Sequence, residues 1–212
     1  MMNQRNRLVP MLAVLATMVA FPGTATAQNE YASDAARLVT ALQLHPGQTV
    51  ADIGAGRGQL TMALAREVAP NGQVYATELD PDRLRDIRKA TESSGLKNVT
   101  VIEAQATHTN LPEQCCDALV LRRVYHHFAN PRLMNASMRQ SLKPGGLLAV
   151  IDFAPDSAES ADPHGRANGN QHGVTSETVV RELSQVGFEL VAVEKGSTPG
   201  RFMVVVRRPP DR

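Results

Sequence analysis

Asp52-Ile53-Gly54-Ala55-Gly56-Arg57-Gly58 is the stretch that decides the fold class of this chain. It ends an apolar run, 49–53, that predicts a buried strand, and it precedes residues 59–68, whose apolar side chains recur at helical spacing. The three glycines leave a gap in the side chains where a ligand can approach the backbone. The following helix would direct its free N–H groups and positive dipole end at that ligand. The pattern therefore predicts a ligand-binding strand–turn–helix unit.

Helix and strand patterns alternate along the rest of the chain, which predicts a mainly parallel sheet with helices on both faces. Pro144-Gly145-Gly146 predicts a turn, Ser176 a helix cap, and the polar stretch 156–173 a long loop or lid. The last two strands flank a Gly/Pro turn and suit an antiparallel edge hairpin. Strands are predicted at 49–53, 73–79, 99–103, 117–121, 147–153, 188–193 and 202–207, and helices at 31–44, 59–68, 81–94, 131–142 and 176–186.

Two carboxylates beside the glycines indicate which cofactor the turn holds. Asp52 ends the first strand, where it would repel a pyrophosphate but attract an ammonium group. Glu78 ends the second strand, where a carboxylate can accept both hydroxyls of a ribose. S-adenosylmethionine (SAM) carries an ammonium, a sulfonium and a ribose, so the two acids favour SAM.

Two alternatives fit the turn less well. A nicotinamide dinucleotide calls for G-x-G-x-x-G, but here the third glycine comes one place early, at Gly58, and Gln59 follows it. This spacing disfavours a nicotinamide-dependent oxidoreductase. A tight turn without any ligand would leave Asp52 and Glu78 without a role.

Three motifs in order resemble those of class I SAM-dependent methyltransferases: Val50–Gly58, Tyr75–Asp80 and Leu142–Leu147. The resemblance implies an α/β, three-layer Rossmann-like fold with a seven-stranded, mostly parallel sheet and an antiparallel C-terminal edge hairpin. It also implies that the glycine turn holds the methionyl part of SAM and that Glu78 holds the ribose. The cofactor-binding residues expected from it are Asp52, Gly54, Ala55, Gly56, Arg57, Gly58, Glu78, Leu79, Gln105, Ala106 and Arg122.

The chain departs from this family after the third strand. Many relatives place an acid there, near the adenine, whereas this chain has Gln105-Ala106. Gln105 or the neighbouring backbone can still bond the adenine. The segment Val124–Pro131, with the letters YHHF, resembles a subgroup of predicted, often exported methyltransferases.

Adjacent histidines follow the fourth strand, at the sheet edge where ligands bind in this architecture. We expect one of the pair to face the cleft and the other to pack, and we assign His127 as the catalytic base. Packing or helix capping by both is the alternative. Arg122 and Arg123 are candidates for an anionic substrate. The residues expected to face the substrate are Tyr125, His126, Asp152 and His172.

Two groups of residues in the sequence contain possible metal ligands. Asp152, His164 and His172 could join one of the paired histidines around zinc, but their spacing matches no short metal motif, so no metal is expected. Cys115 and Cys116 are expected to be two unpaired small side chains at the start of a buried strand, because neighbouring cysteines rarely form a disulfide. A dithiol for a soft metal is the alternative.

The N-terminus predicts export. Arg5 and Arg7 precede an apolar run over 8–21, and Ala25-Thr26-Ala27 suits a signal peptidase. We therefore expect a signal peptide at 1–27, a methyltransferase domain at 28–212, and a periplasmic location without stable membrane insertion.

Charge and composition bound the partners. The chain has 22 Lys and Arg against 21 Asp and Glu and no Trp, so neither a basic field nor a base-stacking surface indicates nucleic acid. The prediction is methyl transfer from SAM to a small molecule. The alternative is a non-catalytic exported module that kept the fold and binds a metal or a nucleoside-like ligand.

Overall fold

The computed structural model describes residues 22–196 and 198–211, with side chains from Glu30 onward. Most of the predicted signal peptide lies outside the described residues. The first described element is a helix that begins at Pro22, not near residue 31 as predicted, and it ends at Ala41. Proline suits the first turn of a helix because its missing N–H has no partner there. No helix in the described part of the chain is long and apolar enough to cross a membrane.

Twelve longer elements and three short 3₁₀ helices make up the described chain. The 3₁₀ helices lie at Tyr125–His127, Pro163–Ala167 and Gly169–Gln171. The longer elements are α1 (Pro22–Ala41), β1 (Thr49–Ile53), α2 (Gln59–Val68), β2 (Gln73–Glu78), α3 (Pro81–Ser94), β3 (Val99–Glu103), β4 (Cys116–Arg122), α4 (Pro131–Ser141), β5 (Leu142–Phe153), α5 (Ser176–Ser184), β6 (Glu189–Lys195) and β7 (Arg201–Arg207).

The strands form one seven-stranded sheet in the order β3-β2-β1-β4-β5-β7-β6. Neighbours from β3 to β5 pair in parallel, whereas β7 lies antiparallel between β5 and β6. The predicted fold class is thus confirmed, including the antiparallel hairpin at one edge. From β1 the chain first adds strands on one side, β2 and β3, and then on the other side, starting with β4. Ligands bind at such a switch point in open α/β sheets.

Both faces of the sheet are covered by helices, so its central strands are apolar on both sides. On one face Leu121 of β4 belongs to a buried cluster with Met138 of α4 and Leu183 of α5. On the other face Val120 belongs to a cluster with Leu38 of α1 and, from α2, Leu64. Alternate residues of one strand therefore serve opposite layers of the core, which fixes the register of β4.

The predicted turn at Pro144-Gly145-Gly146 is wrong, because β5 already begins at Leu142 and runs through it. Gly145 has a φ of +80°, and its N–H donates to the carbonyl of Arg208 at 2.8 Å. The pairing of β4 with β5 shifts here, between Cys116 and Ala118, as at a β-bulge. The three residues therefore kink a strand instead of starting one.

Two smaller expectations are also corrected. Thr175, not Ser176, caps α5, since its hydroxyl accepts from the Thr178 N–H.

Cys116 is buried at the start of β4 as expected, but Cys115 and Cys116 are joined in a disulfide, so the expectation of unpaired thiols is wrong. They lie at the amino end of β4, opposite the sheet edge described next.

Candidate active site

The carboxyl ends of β1, β4 and β5 meet at one edge of the sheet. Ile53 pairs with Leu121, and Arg122 with Ile151, so the residues after all three strands come together. A cleft of about 600 Å³ opens at this edge. It is lined by Tyr31, Asp52, Gly54, Ala55, Gly56, Arg57, Gln59, Leu60, Asp80, Asp82, Arg83, Asp86, Arg122 and Arg123.

The glycine turn has the open backbone that its sequence predicts. Gly54 has a φ of +67°, and a Cβ built there would lie 2.5 Å from Cγ2 of Val124. Gly56 has a φ of +59°, and a Cβ there would meet nothing within 4 Å. Gly54 therefore lets the chain after β4 approach the turn, while Gly56 keeps the backbone accessible from the cleft. Gly58, also left-handed, caps α2.

Asp52 lies on the floor of the cleft and is 2 % exposed. Its Oδ2 accepts a 2.6 Å hydrogen bond from the hydroxyl of Thr61 on α2. Burial raises the pKa of Asp52 from 3.8 to about 6; the nearby Glu78 also raises it, whereas the Thr61 bond and the charge of Arg122 lower it. Its carboxylate is therefore largely ionised at neutral pH, and a cationic ligand would favour that form.

Glu78 is buried and closes the glycine turn. Its Oε2 accepts from the Gly56 N–H at 2.9 Å, and its Oε1 accepts from the N–H groups of Leu79 and Asp80 at 2.7 and 3.2 Å. A carboxylate oxygen has two lone pairs, so Oε2 retains one for a ligand hydroxyl. Glu78 is fixed in place by the backbone that surrounds the cleft.

The other residues expected at the cofactor differ in exposure. Arg57 lines the cleft and pairs with Asp86 at 3.5 Å. Leu79 is 51 % exposed beyond β2. Gln105 and Ala106 are exposed after β3, where the Gln105 N–H donates to the carbonyl of His108.

Arg122 is held by α1, a contact that sequence reasoning missed. Its Nε donates to Asp34 at 2.7 Å, its guanidinium lies 3.9 Å from the ring centroid of Tyr31, and its Nη2 lies 3.6 Å from Glu30. Nη2 has no hydrogen-bond partner within the described residues. It is a buried donor beside the cleft that suits a ligand carboxylate. Asp34 and Arg122 lie 88 residues apart, and no local pattern links them.

Of the paired histidines, His126 is 2 % exposed, whereas His127 is exposed. His126 Nδ1 lies 2.8 Å from Asp152 Oδ1, and its Nε2 lies 3.0 Å from Nε2 of His172. Asp152 also accepts from the His126 N–H at 3.3 Å. The structure thus brings together four of the residues predicted near the substrate or the chemistry.

The environment of His127 favours its neutral form. Desolvation lowers the pKa of His127, and so do the charges of His126, His172 and Arg83, while Asp152 opposes them. Arg83 lines the cleft, so His127 lies within electrostatic reach of the cleft wall. A neutral imidazole there has a lone pair to offer to a proton or a cation.

Tyr125 was expected to line the pocket but is 1 % exposed and buried in the core. Its hydroxyl donates to Glu182 at 3.1 Å and accepts from Asn135 at 2.8 Å. Burial and the charge of Glu182 raise its pKa well above its usual value. Glu182 also pairs with Arg166, a buried arginine of the 156–173 loop, at 2.9 Å. Sequence reasoning missed this network because it joins distant segments.

Each part of the site suits one group of an amino-acid nucleoside. Asp52 offers a buried carboxylate to an ammonium, and Arg122 a buried donor to a carboxylate. Glu78 offers acceptors to a ribose, and the open face of Gly56 allows the ligand to approach. The residues present therefore fit SAM.

Comparisons with known proteins agree with this geometry. Residues 44–189 match a family model described as a methyltransferase domain. Among curated proteins, the ubiquinone/menaquinone biosynthesis C-methyltransferase UbiE of Ralstonia pickettii is 30% identical over 111 residues, which are 52% of this chain and 45% of that enzyme. The chain thus spans about half the length of the curated relatives it matches.

Two solved structures share the fold. A SAM-dependent methyltransferase from Aquifex aeolicus has a TM-score of 0.71 at 22% identity, covering 85% of this chain and 98% of that one. A possible exported protein from Bordetella parapertussis has a TM-score of 0.67 at 19% identity, covering 95% of this chain and 76% of that one.

Proposed function

The chain belongs to the methyltransferase-domain family, and from this premise we propose that it transfers a methyl group from SAM to a small-molecule acceptor. The observation that carries the proposal is a cleft with Asp52 and Arg122 in its lining and with Glu78 beside it, bonded to the N–H of the cleft residue Gly56. Asp52 holds the ammonium, Glu78 the ribose, and Arg122 the carboxylate of the cofactor. SAM supplies a methyl group already activated by a sulfonium.

The residues of this chain mainly have to align the acceptor, because the methyl carbon is activated by the cofactor itself. We assign this to the edge after β4 and β5, where His127 is exposed beside the buried pair of His126 and Asp152. If the acceptor carries a proton, the lone pair of His127 accepts it. His172, on the loop after β5, lies beside them, with its Nε2 3.0 Å from Nε2 of His126.

Export of the chain is part of the proposal. The predicted signal peptide and the YHHF segment support it, and the Bordetella parapertussis protein named as possibly exported shares the fold over most of this chain. Cell fractionation with sequencing of the mature N-terminus tests it. A mature chain beginning at Gln28 in the periplasmic fraction is expected, and an intact N-terminus in the cytosol would contradict it.

Calorimetry with S-adenosylhomocysteine (SAH), the demethylated cofactor, tests the cofactor site. Wild-type chain should bind it with a dissociation constant in the micromolar range, and Asp52→Ala and Glu78→Ala should each weaken binding. Glu67→Ala, which removes an exposed acid from α2, is the matched control and should bind as wild type does. Folded wild-type protein that gives no heat with SAH or SAM would overturn the proposal.

A further inference from the structure

Three imidazoles converge beside the cleft. His126, His127 and His172 each place a ring nitrogen within 4.8 Å of the other two. Their ring centroids lie 4.1 Å apart for His126 and His127 and 4.7 Å for His126 and His172. Two of the rings are accessible from solvent and one is buried. Histidine is the commonest protein ligand of metal ions, and it binds through a neutral nitrogen.

The most buried of the three is already arranged as a ligand. Asp152, 1 % exposed, lies 2.8 Å from Nδ1 of His126, so the carboxylate keeps the proton on Nδ1 and leaves the lone pair on Nε2. Metal-binding histidines almost always donate their second nitrogen in this way, often to a carboxylate. Asp152 also supplies a negative charge that offsets a bound cation.

The spacing of the nitrogens suits one small ion. Nε2 of His126 and Nε2 of His172 lie 3.0 Å apart. Two nitrogens bound tetrahedrally to one zinc ion, with bonds of 2.0–2.1 Å, are separated by roughly 3.3 Å. A small shift of the exposed His172 ring would therefore place both on one ion, with the exposed His127 as the third ligand.

We propose that His126, His127 and His172 bind a single divalent transition-metal ion such as zinc, with Asp152 orienting His126 behind it. Three imidazoles suit zinc and its neighbours better than calcium or magnesium, which prefer oxygen. Three protein ligands leave one tetrahedral position for a water or for a substrate oxygen or sulfur. The site thus resembles open catalytic centres, not closed structural ones.

The ion and a proton would compete for the same lone pair of His127. A metal-loaded site would therefore polarise the acceptor itself, in place of proton uptake by His127. The proposal does not depend on SAM, since it rests on the histidines alone. Its metal-free alternative is a hydrogen bond between His126 and His172 that shares one proton.

The test is metal titration of the full chain, free of any histidine tag and stripped with chelator. One cobalt(II) ion per chain should bind and give the strong visible absorption of a tetrahedral site, and one equivalent of zinc(II) should displace it. Calorimetry with zinc(II) gives the affinity. Thermal unfolding with and without zinc confirms that binding is to the folded chain.

Variants then locate the ion. His172→Asn should weaken zinc(II) binding at least 10-fold, while Asp152→Asn should weaken it about 10- to 100-fold through His126. His164→Asn is the matched control, because His164 is exposed in the same loop and lies outside the cluster. It should bind zinc(II) as wild type does.

Two outcomes would overturn the inference: no stoichiometric binding to folded wild-type chain, or equal zinc(II) affinity in wild type and His172→Asn. SAH binding by the same samples keeps this test separate from the proposed methyl transfer. Chain that binds SAH but no metal would leave the proposed function standing and the metal site refuted. Chain that binds metal at the cluster but no SAH would leave the metal site standing and refute the proposed function.

Discussion

The backbone N–H of Gly56 donates a 2.9 Å hydrogen bond to Oε2 of Glu78, which ties the turn after β1 to the last residue of β2. One side chain thus fixes the shape of the glycine turn and, in the proposed function, also binds the ribose. The three N–H groups that donate to Glu78 hold it against the glycine turn. Substitutions at this position can separate the two roles.

Glu78→Gln keeps one oxygen that can accept from the Gly56 N–H or from the N–H groups of Leu79 and Asp80, but its NH2 group cannot replace the other oxygen, and the charge that strengthens bonds to a ribose is lost. We expect SAH to bind about 10-fold more weakly, since a charge-assisted bond exceeds a neutral one by about 1 kcal/mol or more. The free energy of unfolding should fall less in Glu78→Gln than in Glu78→Ala, because the amide oxygen still accepts from part of these N–H groups. Glu78→Ala, which leaves three N–H groups without their acceptor, should lower the free energy of unfolding by about 1–3 kcal/mol. Calorimetry and denaturant unfolding measure the two effects, and equal loss of stability in both variants would contradict this division.

The raised pKa of Asp52 makes binding depend on pH. Its carboxyl titrates at about 6 in the folded chain, and only the ionised form attracts an ammonium. SAH affinity should therefore rise as the pH increases through about 6 and then level off. Asp52→Asn should bind SAH more weakly at neutral pH and show no such rise. A titration of wild type that stays flat across this range would count against the role of Asp52.

The raised pKa of Asp52 also makes stability depend on pH, but stability falls with rising pH where the affinity for SAH rises. Folding raises the pKa of Asp52 from 3.8 to about 6, so the native chain holds this proton more tightly than the unfolded chain does. The resulting stabilisation is complete below the unfolded pKa and is lost as the pH rises through about 6. Asp52→Asn should therefore unfold with a free energy about 3 kcal/mol larger than wild type at pH 8, with the difference vanishing near pH 4. Denaturant unfolding at both pH values checks the sign, and a less stable variant at pH 8 would refute it.

Gly54 is the position where the glycine turn tolerates a side chain least. Ala at this φ of +67° costs about 1–2 kcal/mol in backbone strain, and contact with Val124 adds about 1–3 kcal/mol. Gly56→Ala carries a similar φ but meets no neighbour, so it serves as the control. Adding Val124→Ala should restore part of the stability lost in Gly54→Ala and none in Gly56→Ala. Additive effects of Gly54→Ala and Val124→Ala in denaturant unfolding would rule out the contact as the cause.

Arg166 should hold the 156–173 loop, and with it His172, against the body of the domain. Its side chain is 4 % exposed and lies 2.9 Å from Glu182 and 3.4 Å from Glu159. Arg166→Met leaves two largely buried carboxylates without their cation, which costs about 3–5 kcal/mol. Hydrogen exchange in the loop should become faster than in Arg132→Met, a control at an exposed arginine. Unchanged exchange in the loop would show that other contacts hold it.

The sequence predicted correctly the helices and strands whose ends are marked by residues within the same segment. The bounds of β1, α2, α3 and β3 agree with those expected from the sequence, because a glycine turn, Pro81 and Gly95 mark their ends. The prediction of a turn at Pro144–Gly146 was wrong because the conformation of this segment depends on Arg208, whose carbonyl accepts from the Gly145 N–H across the bulge. Composition favours a turn there, and only the neighbouring strand makes it a kink.

The residues of the candidate site also fall into two groups, those that their own segment predicts and those that depend on distant partners. Asp52 and Glu78 could be placed at one edge of the sheet because each lies within one residue of the end of a strand that its own sequence predicts. Tyr125 could not, since its hydroxyl is bonded within the core to Glu182, 57 residues further along the chain. The same holds for the contact of His126 with His172, which lies 46 residues away. Adjacent polar residues indicate a candidate site at the edge of the sheet, but contacts with other elements determine which of those residues are exposed.

The placement of β7 between β5 and β6 has a consequence for how the chain is made. A ribosome produces β6 before β7, yet β6 pairs with no strand of the sheet except β7. Until residues 201–207 emerge, β5 keeps an open edge and β6 has no strand to pair with. When β7 forms, it pairs with β5 on one side and with β6 on the other. Nascent chains halted before that strand should therefore be the form that chaperones recognise and that aggregates.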